Sequence, residues 1–118
     1  MKTIDELLAL DADDPALRRG IAELLGWKDF IFVGGVLFSL TPGTPLGQVR
    51  TEVPDWPHSV DAALTLLPPL PSAIIISRVI EGWYVGINTM SSRLRDISEG
   101  RSDNLALAIC RAWLASKR

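Results

Sequence analysis

Apolar positions along this chain recur with two different periods. Near the N-terminus the spacing is helical. Thr3 and Glu6 are set as a capping box ahead of a short helix over about 4 to 10. Asp14-Pro15 opens a second helix, because aspartate caps well and proline at the first helical position gives up only an amide that had no partner. Leu17, Ile21, Leu24 and Leu25 then fall at i, i+4, i+7 and i+8 on one face, and Gly26 supplies the left-handed stop. Gly20 weakens that helix by roughly 1 kcal/mol relative to alanine.

At "DFIFVGGVLFSL", residues 29–40, the pattern turns β-branched and aromatic. Two short strands around a Gly34-Gly35 turn are the natural reading, since glycine takes positive φ at both turn positions without steric cost; one kinked strand is the alternative. Residues 41–57 hold four prolines and two glycines, which predicts a long loop with a brief strand at Gln48–Glu52. Ser59 then caps a helix with Asp61 in its first turn; Val60, Ala63, Leu64 and Leu67 are its expected buried face, and Pro68, Pro69 and Pro71 end it.

"SAIIISRVIEGWYVGINTM" predicts a β-hairpin, 73–79 and 83–90, turning near Glu81-Gly82. "DISEGRSDN" reads as a polar loop. The last segment, 103–116, is a helix capped by Ser102 or Asp103. Leu105, Ala108, Ile109, Ala112 and Trp113 form one stripe, widened by Leu107, Cys110 and Leu114. A surface that broad is buried against a sheet and against another helix. The predicted class is α+β in one domain spanning 1–118: a mainly antiparallel sheet with helices packed on it, layered as an α/β/α sandwich.

Composition narrows the function classes. The 118 residues carry a net charge of −2, which argues against general nucleic-acid binding, a task that usually needs a basic excess. The charge is uneven: residues 1–29 hold seven acids against four bases, and 93–118 hold six bases against three acids. Either the two ends meet or face water, or Arg93, Arg95 and Arg101 make a local anion site. A single cysteine allows no intrachain disulfide and suits a reducing cytoplasm. The apolar stretches near 30–38 and 73–76 are too short to span a bilayer, so no membrane association is expected.

Candidate chemistry is sparse. His58 is the one histidine; a base role is conceivable, but its place before the Ser59 cap makes it a helix-entry residue. Cys110 lies mid-helix on an apolar face and reads as a small buried hydrophobe. One histidine and one cysteine 52 positions apart do not make a metal site, and neither glycine-rich phosphate cradle is present. No catalytic residue, metal or cofactor is therefore expected. Trp113 reads as core and Trp27 as a core edge. Trp56, in a proline-rich loop near His58, either lids the core or anchors a partner.

A resemblance runs through four segments: Gly26-Trp27, "PHSVDAALTLL" at 57–67, "WYVGI" at 83–87 and "DNLALAICRAWLAS" at 103–116. In order and rough spacing they resemble the phage ABA-sandwich domain family of small phage and prophage proteins, the last motif being the most specific. The family shows an aromatic where His58 stands. The resemblance implies a layered helix–sheet–helix domain, a viral origin and a place in the bacterial host's cytoplasm, with no established reaction. The expected function is a non-enzymatic accessory protein that binds a host protein, as in counter-defence, or associates with itself as a homo-oligomer. Its candidate binding residues are Trp56, His58, Arg93, Arg95 and Arg101. The alternative is a binder of a nucleotide second messenger, with arginines on phosphate and Tyr84 or a tryptophan on the base; a small hydrolase ranks last.

Overall fold

Helix α1 (Ile4–Leu8) is capped as its sequence demands: Thr3 Oγ1 accepts the Glu6 amide, and the Glu6 carboxylate accepts the Thr3 amide. The Thr3 amide, and then the Thr3 hydroxyl, donating to the Glu6 carboxylate lower the pKa of that carboxyl from its ordinary value. The computed structural model describes residues 2–42, 49–67, 72–89 and 97–118. Helix α2 (Pro15–Leu24) begins at Asp14, whose Oδ1 accepts the Ala16 amide at 2.9 Å. It ends at Gly26, φ 92°, where the Gly26 and Trp27 amides return to Glu23 and Ala22. The buried face of α2 is Leu17, Ile21 and Ala22, rotated from the expected stripe so that Leu24 faces solvent. Gly20 has a packing reason: a Cβ there would overlap the Leu7 side chain, so its absence lets α1 and α2 meet.

Among the described residues the strands divide into two three-stranded antiparallel sheets. The first joins β1 (Lys28–Val33), β2 (Val36–Leu40) and β3 (Thr51–Glu52), in that order. Gly34 and Gly35 both take positive φ, 59° and 82°, and close the β1–β2 hairpin. Asp29 is left-handed at φ 62° where the register slips, and Arg50 clamps it: Nε donates to the Asp29 carbonyl at 2.8 Å and Nη2 to Oδ2 at 2.6 Å.

The second sheet joins β4 (Ser72–Val79), β5 (Gly82–Thr89) and β6 (Ile97–Ser102), with β5 central. Strand β6 corrects the sequence reading, which took this stretch for a loop. The β4–β5 hairpin runs in unbroken register from Ser72↔Thr89 to Val79↔Gly82. Side-chain alternation sends Trp83, Val85 and Ile87 to the face covered by α4 (Leu105–Ala115). On β6 that face is kept flat by Gly100, where a Cβ would overlap the Ala108 carbonyl and the Ala112 amide.

The cap of α4 is Asn104, not Ser102 or Asp103. Its Oδ1 accepts the Ala106 amide at 3.0 Å, while its Nδ2 donates to the Pro57 carbonyl at 2.9 Å. Ala106 through Cys110 and Ala112 through Leu114 are all buried. The far side of α4 receives α1 and α3 (Val60–Leu64), so the sequence of layers is sheet, α4, then α1 and α3. In α3 the capping by Ser59 is as expected, but the buried side chain of the helix is Ala63, joined by Leu66 just past its end, while Val60 and Leu64 are exposed. Each large aliphatic side chain sealed in this core, such as Ile109 or Leu114, contributes about 1.5–3 kcal/mol.

Candidate functional site

Of the sequence-predicted binding residues, the three that are described, Trp56, His58 and Arg101, do not share one surface. Trp56 belongs to the core. It is 2% exposed and meets Trp27 edge to face, centroids 6.2 Å apart and planes at 85°. The backbone on either side is tied down: the Val53 amide donates to the Leu37 carbonyl at 2.9 Å, and the Pro57 carbonyl is held by Asn104.

His58 stands at the surface in a bridge. Its Nδ1 lies 2.9 Å from Asp55 Oδ1 and its Nε2 2.7 Å from Asp13 Oδ1. These carboxylates, the Asp55 hydrogen bond first, raise the imidazole pKa above its ordinary value. The bridge borders a concavity of about 180 Å³ that Pro15, Arg18, Phe32 and Leu37 also line. With both ring nitrogens committed, the imidazole is no free base. Ser59 beside it serves as the cap of α3, its Oγ accepting the Ala62 amide at 3.2 Å. The two carboxylates sit at opposite edges of the ring, and among the described residues no group of three His, Cys, Asp or Glu side chains could hold a metal ion.

Arg93 and Arg95 lie outside the described residues. Arg101 is on the solvent face of β6, its guanidinium 5.3 Å from the centre of the Tyr84 ring, and the Tyr84 hydroxyl donates to Glu99 at 2.9 Å. Arg101 lines a shallow concavity of about 530 Å³ at the β4–β5 hairpin with Arg78, Val79, Ile80 and Glu81. Arg78 lies over Trp83 at 5.4 Å. Elsewhere the arginines are engaged with carboxylates or carbonyls: Arg18 with Glu52, Arg19 with Glu23, Arg50 with Asp29, Arg118 with Asp5, and Arg111 with the carbonyls of Arg101 and Leu10.

A further feature lies outside the predicted binding residues. Strand β4 is an edge whose apolar side chains are bare on both faces. Ile76 (41% exposed) points to the α4 side, and Ile75 (51%) and Val79 (39%) point to the other, where Ile97 of β6 is also exposed. Ile80 in the turn is fully exposed. The hairpin closes on Val79 and Gly82, so alternation aims the amides and carbonyls of Ile74, Ile76 and Arg78 away from β5. Among the described residues nothing pairs with them. The signal was present in "SAIIISRVI", a β-branched run with little polar interruption, but it looks the same in a central strand and in a bare edge.

Cys110 is fully buried, and burial pushes its thiol up to about 12. Among the described residues no helix is long and apolar enough to cross a membrane. No protein-family model matches this chain, nor does any curated protein or solved structure.

Proposed function

We propose that this protein acts by binding another protein chain, carries out no reaction, and takes its partner by strand addition along β4. The carrying observation is the edge itself: unpaired backbone donors and acceptors on Ile74, Ile76 and Arg78, flanked by apolar side chains on both faces. A helix or a lipid surface laid on one face would leave the other bare. A strand added laterally covers both and completes the backbone ladder. The resemblance to phage accessory proteins supports a bacterial host protein as that partner, met in the host cytoplasm. The buried Cys110 thiol and the fully engaged His58 ring support the absence of chemistry.

Proline at Ile76 tests this reading. The Ile76 amide faces away from β5, so Ile76→Pro removes an outward donor and leaves the β4–β5 hydrogen bonds in place. Host proteins captured by the wild type should be lost with Ile76→Pro, and the backbone amides of Ile74, Ile76 and Arg78 should gain hydrogen-exchange protection in the complex. Equal retention by the variant would remove the edge from the mechanism. Self-association through β4 would show as a doubled mass in light scattering, abolished by the same substitution. A nucleotide held instead at Arg78 and Arg101 would raise the melting temperature of wild type and Ile76→Pro alike.

A further inference from the structure

We infer that Asp13, His58 and Asp55 form a proton-operated latch between the α1–α2 connection and the segment that leads into α3. The geometry decides the protonation state. Ionised carboxylates only accept hydrogen bonds, and both imidazole nitrogens lie within 3 Å of one, at 2.9 Å from Asp55 and 2.7 Å from Asp13. A neutral imidazole carries a single N–H. It can satisfy one aspartate, and its other nitrogen then turns a lone pair on a second acceptor at contact distance. The bridge therefore holds only as the imidazolium, which donates to both.

The two halves are unequal. Asp55 lies three residues from His58 in a turn closed by the Asp55 carbonyl, which accepts the His58 and Ser59 amides at 3.2 and 2.9 Å. Asp13 lies 45 residues away, with a side chain 96% exposed. Loss of the proton thus leaves the local Asp55 pair and frees Asp13. Of the other charged groups lining the same concavity, Asp14 is occupied in capping α2 at the Ala16 amide, and Arg18 donates to the Pro54 carbonyl at 3.1 Å. Phe32 and Leu37 form its apolar wall, so release of Asp13 opens the concavity on the Asp13 side.

The sign of the pH effect follows from the raised imidazole pKa. The latch contributes fully below about 6.5, the unfolded value, and is lost as pH rises through the higher folded value. The test is an NMR titration of the whole chain, following the His58 ring and the backbone amides of residues 11–14. His58 should titrate above about 6.5, and the amides of residues 11–14 should shift with the same midpoint. Asp13→Asn should lower the His58 midpoint, and Asp55→Asn should lower it further. In His58→Gln the amide shifts of residues 11–14 at that midpoint should vanish. A His58 midpoint at or below the ordinary value would overturn the latch, as would Asp13→Asn leaving it unmoved or amides of 11–14 that ignore it. Asp13 is solvent-exposed, so its substitution leaves the fold intact for the measurement.

Discussion

Strands β4 and β6 flank the same central strand, yet they live in different solvents. On β6, helix α4 sits so close that Gly100 has no room for a methyl group. On β4 the apolar side chains Ile75, Ile76 and Val79 remain between 39% and 51% exposed. The difference comes from where α4 lies: it covers β5 and β6, and β4 projects beyond it. Helix α4 thus covers one face of β6, a strand that also carries the charged Glu99 and Arg101, whereas β4 is uncovered and carries only Arg78 as a charged deterrent to pairing. In the other sheet the edge strand β1 is interrupted by the Asp29 register shift and the edge strand β3 is only two residues long; β4 has no such break and spans eight residues. The bare strand with regular geometry is the better template for a partner.

The covered side should show its packing most strongly at Cys110. With its thiol pushed up to about 12, native protein at pH 8 should react with a thiol probe on the order of a thousandfold more slowly than denatured protein. Rapid labelling under native conditions would mean that α4 is not seated on the sheet. Next in size is Gly100→Ala, which forces α4 off β6 and should cost about 3 kcal/mol in denaturant unfolding. A cost under about 0.5 kcal/mol would show that the helix yields freely. The smallest effect belongs to the bare side. Ile75→Lys should change stability by less than about 0.5 kcal/mol while reducing strand addition. A loss of several kcal/mol would mean that β4 is covered in the folded chain, and the contrast between the two edges would fail.

The same contrast explains what was legible in the sequence. Local rules worked where structure is made by neighbours: the Thr3–Glu6 box, Asp14-Pro15, the Gly26 stop and the Gly34-Gly35 turn all formed as read. Strand β6 was missed because its inward positions, Ser98, Gly100 and Ser102, are small so that α4 can approach, and that removes the apolar alternation that marks a strand. Likewise the cap of α4 fell at Asn104, whose second bond reaches Pro57 across 47 positions. His58 was visible as a candidate, but its bridge depends on Asp13, which no spacing rule connects to it. Trp56 could have been an anchor or a lid by sequence; its partner Trp27, 29 positions away, places it in the core.

Asn104 carries a consequence for the order of folding. One side chain both starts the last helix and closes a loop of 47 residues through the Pro57 carbonyl. Nucleating that helix and paying the entropy of long-range closure are therefore coupled events. The chain gains the full benefit of the cap only once distant segments have already met, which ties the start of a local element to the arrival of the global topology.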